Sequence, residues 1–307
     1  MIAFLILHYK NEKETIACVE SIQNLHAEHN KIEIVIVDNG SRDDSTKILH
    51  QKYAKDEQVK IVDVPENLGF SGGNNVGFSA LKKRNNLDFL VVCNSDVVFT
   101  QKDFIEKIQG KYEQTQFDIL GPDIYKIQKG KKKSTSPLYR RIANLTVLDD
   151  TERVFQSRLS AIEAGEKSWG KIKTTYPSMK IGVRYSMFCV LKKVYEIGNN
   201  YFPRQKDGAI LQGACLIFSA RYIAVHEKLF EPETFLYYEE AILYTRARAE
   251  GLKLVYAPSL KVWHKEGGST NVDQGRIERY EKHLKNRLTA IKICKEYIAV
   301  NQSEQTR

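Results

Sequence analysis

The sequence is short of the residues that staple or anchor a fold. Its five cysteines (Cys18, Cys93, Cys189, Cys215 and Cys294) are scattered, odd in number and nowhere spaced as C-x-x-C. A structural zinc or a disulfide framework is therefore not expected, and a reducing compartment is. No run approaches the roughly 18 uninterrupted apolar residues of a membrane span. The opening "MIAFLILHYK" is apolar but has neither a basic leader nor a small-residue cleavage site, so no secretory signal is read there. The phosphate-binding fingerprints are missing as well. Gly69, Gly72, Gly73 and Gly77 fit G-x-G-x-x-G in no register, and no G-K-[ST] follows them. That disfavours a dinucleotide fingerprint and a Walker-type loop.

Charge of one sign is in excess. Lys and Arg number 47 against 38 Asp and Glu, a net +9, and much of the surplus sits in "YKIQKGKKKSTSPLYRR", residues 125–141. Nucleic acid, an anionic membrane surface and phosphorylated small molecules are the candidate partners, beside a plain solvated loop. No aromatic-interleaved recognition motif accompanies the lysines, so nucleic acid is not expected.

The first 120 residues alternate between two periodicities. "IAFLILHY", "KIEIVIVDNG", "VKIVDV" and "LDFLVVCN" read as strands. "NEKETIACVESIQNL", with Ile16, Val19, Ile22 and Leu25 on one face, and "SRDDSTKILHQKYA" read as helices. "NLGFSGGNN" reads as a glycine-rich loop leading into a third helix. The expected fold is α/β, a mostly parallel central sheet with helices on both faces. A basic, mostly helical insertion is expected over 125–205, followed by a strand over 209–219. A helix in "TFLYYEEAILYTRARAEG", short strands "LKLVYAP" and "LKVWH", and a long C-terminal helix complete the expected order.

Ligands of parallel sheets sit beyond the carboxyl ends of the strands. The polar clusters His8–Lys10, Asp38–Ser41, Asn67–Asn75 and Asn94–Asp96 all fall there, which nominates His8, Asp38, Asn39, Asn67, Gly72, Gly73, Asn74, Asn75, Asn94 and Ser95 as ligand-contacting. Each has a plainer alternative. Asp38 could accept from a base or ribose or cap the next helix, although that helix has Ser41 and Asp43 of its own. The glycines could let a backbone approach a ligand or only make a tight turn. Asp96 could hold a hard cation, which prefers oxygen donors, or be a turn residue. Glu239 and Glu240, beside Tyr237 and Tyr238, could supply a general base or simply suit a helix N-terminus. His264, between a strand and glycines, needs company to count as a ligand.

Taken in order, "LILHYKNEKETIACVESI", "VIVDNGSRDDS", "NLGFSGGNNVGF", "VVCNSDVVF", "LQGACLIFS", "FLYYEEAILYTRARAEG" and "VWHKEGGS" resemble the family 2 glycosyltransferases of the GT-A fold. The closer likeness is to the bacterial branch that includes rhamnosyl- and galactofuranosyltransferases of surface polysaccharides. The resemblance implies a GT-A domain over 1–270, carrying the 125–205 insertion, and a helical extension over 271–307. It implies a nucleotide-diphosphate sugar donor (dTDP-rhamnose first, a UDP-hexose behind it) and a divalent cation, Mn or Mg. By the same resemblance Asp38 meets the nucleoside and Gly72–Asn75 lie along the donor. "NSD" stands for the family's D-x-D, with Asn94 in the first place and Asp96 as metal ligand, completed by His264. "YEE" stands for the catalytic acidic pair, the base being Glu240 or Glu239, with Ile242 where the branch often has another acid. The implied reaction is an inverting displacement. The implied acceptor is a lipid-linked saccharide at the inner face of the cell membrane, reached by a cytoplasmic protein in peripheral contact with anionic lipid. A catalytically silent nucleotide-sugar-binding protein is the alternative.

Overall fold

Burial on both sides of one sheet decides which apolar runs become strands. A computed structural model describes residues 1–27, 31–83, 86–201, 203–265 and 275–304. Its strands are β1 (Ile2–His8), β2 (Ile32–Asn39), β3 (Val59–Val64), β4 (Phe89–Asn94), β5 (Val97–Val98), β6 (Ile119–Gln128), β7 (Lys131–Ser134), β8 (Lys206–Asp207), β9 (Cys215–Ser219) and β10 (Leu254–His264). Along β1, Ile2, Phe4 and Ile6 enter one core while Ala3 and Leu5 enter the other, as the two-residue repeat of a strand requires. Both cores exclude water, which is why the run has no polar alternation.

The helices are α1 (Glu12–Gln23), α2 (Asp44–Tyr53), α3 (Gly69–Lys82), α4 (Phe104–Thr115), α5 (Leu145–Glu163), α6 (Trp169–Thr174), α7 (Met179–Tyr201), α8 (Ala220–Val225), α9 (Glu239–Ala249) and α10 (Arg276–Glu304). Cys18, Val19 and Ile22 of α1, Leu49 of α2 and Phe104 of α4 cover one face. Phe78 of α3, Tyr222 of α8 and Leu243 of α9 cover the other. Asn11 and Asp43 cap α1 and α2 by accepting from the backbone N–H of Glu14 and Ser45.

The strand order is β3-β2-β1-β4-β9-β6-β10-β5. β1 to β4 pair in parallel, β9 runs against β4 and β6, and β6 is parallel to β10. Six strands therefore share one direction, and the expected α/β architecture stands. After β3 the chain crosses to the far side of β1, so the order reverses between β1 and β4. Such a reversal opens a crevice at the carboxyl ends of the strands.

Four local expectations change. The glycine-rich segment is no loop: helix α3 starts at Gly69, so Gly72, Gly73, Asn74 and Asn75 lie in its first two turns. A Cβ on Gly73 would come within 2.5 Å of Leu7 Cδ1 and one on Gly77 within 2.3 Å of Leu5 Cδ1, so the missing side chains let α3 lie close on β1. The lysine run is half of a hairpin, with β7 on the sheet's edge paired to β6; lysines on an edge strand discourage further pairing. The 209–219 strand begins only at Cys215, and the two late strands are one, β10, with a register shift between Ala257 and Lys261.

Residues 145–201 carry α5 to α7, and α10 lies across them and α9. Leu148 of α5, Ala241 and Ile242 of α9, and Ile291, Cys294 and Ile298 of α10 form one small core. Ile242 is thus apolar because it is buried in that core, where an acid would be stranded. The expected 270/271 boundary and the "EGGS" end of the last motif lie outside the described residues.

Gly69 and Gly110 make a matched test. Gly69 has φ +73° and a Cβ there would sit 2.4 Å from the Phe235 carbonyl oxygen, whereas Gly110 in α4 has nothing within 4 Å. Gly69→Ala is expected to lose at least about 2 kcal/mol in chemical denaturation. Gly110→Ala is expected to gain about 0.5–1 kcal/mol by the usual helix preference.

Candidate active site

Three chain segments meet at the crevice. The first is the end of β4, where Asn94, Ser95 and Asp96 turn the chain before β5. β5 pairs antiparallel with the end of β10, placing Val97 opposite His264 and Val98 opposite Trp263. Val97 and Phe99 are buried, and Phe99 stacks edge-on against Phe4 and Phe104 at 5.4 and 5.0 Å. The apolar residues after the acid are therefore what hold the turn in place. Asp96 Oδ1 lies 3.1 Å from His264 Nε2, and both side chains are nearly enclosed. Asp96 also accepts Lys265 N–H on its backbone carbonyl at 3.1 Å.

The second segment is the start of α9. Tyr237 and Tyr238 adopt left-handed backbone, φ 76° and 66°, and this sharp entry turns Glu239 and Glu240 inward. Glu240 Oε1 accepts the backbone N–H of Gly213 at 3.2 Å. Glu239 Oε2 is sequestered from solvent with no hydrogen-bond partner. Burial raises the pKa of both, and Glu239 goes well above the usual 4.5 because the Glu240 charge adds to burial. The Gly213 N–H moderates Glu240 in the other direction. Burial therefore biases both carboxyls toward their neutral forms, Glu239 more strongly than Glu240.

The third segment links the other two. Ala214 accepts Asn94 N–H at 3.0 Å through its carbonyl, while the adjacent Gly213 donates to Glu240. Two successive residues before β9 thus tie the β4 turn to the acidic pair. Gly213 carries no side-chain signature, and sequence reasoning missed it for that reason. A Cβ on it would reach Glu240 Oε1 at 3.4 Å and Phe70 at 3.5 Å.

Several of the residues nominated from sequence make contacts within the protein that brace the crevice. His8 is fully buried, its Nδ1 2.7 Å from Thr15 Oγ1 and its Nε2 3.0 Å from Ser45 Oγ. Burial lowers its pKa, and its two hydrogen bonds pin β1 to α1 and α2. Asn39 spends its amide on Asn67 Oδ1 and the Gly69 carbonyl and its Oδ1 on Leu68 N–H, which anchors α3 to β2. Asn75 accepts from Leu229 and Phe230 N–H and donates to the Phe230 carbonyl and Glu233, so it organises the loop before α9. Gly73 is filled by Leu7 and Asn39, and Gly72 faces Leu68 and Glu233. Asn74 donates to the Phe70 carbonyl at 2.9 Å. Asp38 is buried, accepting from Ser41 N–H at 3.1 Å and from the Thr46 hydroxyl, and it leaves the capping of α2 to Asp43. Asn67, Asn94 and Ser95 remain half-buried at the crevice.

The donor set suits a divalent cation. Asp96 Oδ1 and His264 Nε2 are separated by 3.1 Å, about the spacing of adjacent ligands around a six-coordinate ion with bonds near 2.1–2.2 Å. Among the described residues no cluster of three or more His, Cys, Asp or Glu occurs, so most ligands would come from water and substrate. A cavity of about 420 Å³ lies elsewhere, between Arg140, Arg248 and the end of α10.

Comparison with known proteins bears on this geometry. The family model described as "Glycosyl transferase family 2" matches residues 4–186. The chain is 27% identical over 157 residues to the low-salt glycan biosynthesis hexosyltransferase Agl10 of Haloferax volcanii, covering 49% of this chain and 47% of that protein. It is 25% identical over 125 residues to glycosyltransferase GlyG of Streptococcus pneumoniae serotype 4, covering 41% and 39%. The match thus spans less than half the length of these relatives. In fold it is similar to S. aureus TarS 1-349, with a TM-score of 0.51, 13% identity and coverage of 94% and 70%. It is similar too to the mannosyltransferase PcManGT of Pyrobaculum calidifontis, solved with GDP-Man and Mn2+, with a TM-score of 0.50, 9% identity and coverage of 99% and 74%.

The buried acid pair has a measurable cost. A carboxyl whose folded pKa is raised contributes stability that is complete below about 4.5 and is lost as pH rises through the folded value. Glu239→Gln is therefore expected to raise the thermal midpoint at pH 7–8 by about 2 °C or more. The gain should vanish in scans near pH 4.

Proposed function

The chain belongs to glycosyl transferase family 2, and on that footing we propose that it transfers a sugar from a nucleotide-diphosphate donor to an acceptor hydroxyl with inversion. The observation that carries the reading is the meeting, at one crevice, of the Asp96–His264 pair and Glu240 through the Ala214–Gly213 step. The GT-A fold likeness and the nucleotide sugar bound by the mannosyltransferase support a donor of this class.

Glu240 is the general base. Its Oε1 is held by the Gly213 N–H, leaving Oε2 to take the proton from the acceptor hydroxyl as that oxygen attacks C1 of the sugar. The C1–oxygen bond to the diphosphate breaks with its electron pair on the leaving group. Burial and the neighbouring Glu240 charge both disfavour a second charge on Glu239 beside the base. Asp96 and His264 hold the divalent cation, which when bound neutralises the diphosphate. Asp38, Asn67, Asn94 and Ser95 contact the donor, and Gly72 and Asn74 shape the wall along which it lies.

Within the family the reading favours a hexose or deoxyhexose donor, dTDP-rhamnose first and a UDP-hexose second, on the branch resemblance of the motifs. The acceptor is a lipid-linked saccharide of a bacterial surface polysaccharide, met at the cytoplasmic face of the membrane. No helix among the described residues is long and apolar enough to cross a bilayer, so the acceptor is reached from the surface. The catalytic unit comprises the sheet with its 125–205 insertion, and α10 braces it by packing on α9. Ile242 gives no support to a silent binder, since its apolar side chain is a core requirement.

Glu240→Gln is expected to reduce transfer, read as acceptor-dependent release of nucleoside diphosphate, by about 10²- to 10⁴-fold. Thermal stabilisation by donor should persist in that variant. Glu239→Gln should cost far less. Equal losses in the two variants would reject the assignment of the base.

A further inference from the structure

Helix α7 shows water a face it has no structural reason to expose. Seven of the thirteen large apolar side chains that stand exposed among the described residues belong to this one helix. Met179, Val183, Met187, Val190, Val194 and Ile197 are each 46–86% exposed. At 100° per residue they fall within an arc of about 80°, extending along roughly 27 Å of helix. The opposite face is occupied. Ile181 and Tyr185 pack in the core shared with α5 and α10, Phe188 and Tyr195 meet Tyr139, and Asn199 donates to the Pro137 carbonyl at 3.2 Å. The helix is thus anchored by one side, and the stripe points away from everything described.

We propose that this stripe is a contact helix that lies in the interfacial region of an anionic lipid bilayer. Charge selects the occupant. Lys180 and Lys193, both exposed, border the stripe on opposite sides, about 65° and 75° from its centre. The helix carries Lys180, Arg184, Lys192 and Lys193 against the single acid Glu196, and Arg184 is already paired with Asp150. Two copies of the chain meeting through this face would bring like charges together along its rims, whereas anionic headgroups satisfy them. The stripe is aliphatic and thioether throughout, with no hydrogen-bonding group to direct a protein partner. An apolar strip sunk among acyl chains, with lysines reaching up to phosphates, is the arrangement of an in-plane amphipathic helix. Exposed apolar patches of this extent are rare on monomers without such a role.

The position has a functional consequence. Lys192, on the inner side of α7, is close enough to act electrostatically on Glu240. A bilayer under the stripe would therefore lie across the width of α7 from Glu240, and a lipid-linked acceptor would approach from that side. That consequence rests on the proposed function, but the contact itself is tested without it.

The experiment is flotation of the full chain with vesicles of phosphatidylcholine, alone or with phosphatidylglycerol, in the absence of donor and acceptor. Wild type is expected to float with the anionic vesicles and to lose this at high salt. V190D/V194D should reduce the bound fraction about tenfold or more, and K180E/K193E should remove the preference for phosphatidylglycerol. All four positions are exposed, and unchanged thermal midpoints will confirm intact folding. Wild type that does not float, or V190D/V194D that floats equally, overturns the proposal. So does a dimer in solution that V190D/V194D dissolves, since a second copy would then be the occupant. Wild type that does not float but transfers sugar to a water-soluble acceptor rejects the membrane contact alone; wild type that floats without any transfer rejects the enzymatic reading alone.

Discussion

Val97 and Val98 pair antiparallel with Trp263 and His264, and the candidate site depends on that two-residue ladder. Asp96 leaves the sheet at the end of β4, where an unsupported turn would wander. The ladder returns the chain at once to the core, where Val97 and Phe99 are buried, and brings a histidine 168 residues distant in sequence to 3.1 Å from the carboxylate. A carboxylate and an imidazole are thereby fixed by hydrophobic burial and backbone pairing rather than by their own attraction. Preorganisation of this kind costs nothing when a charged ligand arrives.

The same economy governs the acidic pair. Tyr237 and Tyr238 take left-handed backbone that favours glycine elsewhere, and the strain is held by the surrounding packing. Arg287 of α10 lies over the Tyr237 ring at 4.6 Å, and the Tyr237 hydroxyl meets His283. The long C-terminal helix thus helps to hold the turn that leads into Glu239 and Glu240. The glycines of α3 act at a distance in a similar way, by letting the helix approach β1 so that Asn39 and Asn75 can bind the loops on either side of the crevice.

How far the sequence could be read follows from these contacts. The strands of the first half were legible because both faces of the sheet are covered, and so was the crevice, because polar residues cluster where those strands end. The acidic pair and the aspartate were legible as residue types. What escaped were roles set by packing: His8, Asn39 and Asn75 each hydrogen-bond to distant segments, which a string of letters does not reveal. The α3 glycines read as a loop because glycine disfavours helices, and tertiary approach overrode that preference. Gly213 offers only a backbone N–H, and no pattern of residue types reveals one.

The central claim is that Asp96 and His264, brought together by the β5–β10 ladder, hold a cation for a nucleotide diphosphate. The direct measurement is calorimetric titration of nucleoside diphosphates into wild type and Asp96→Ala, with Mn and with EDTA. Binding that requires Mn in wild type, and that Asp96→Ala weakens by about tenfold or more, is the predicted result. Binding of equal strength with EDTA, or in Asp96→Ala, would contradict it.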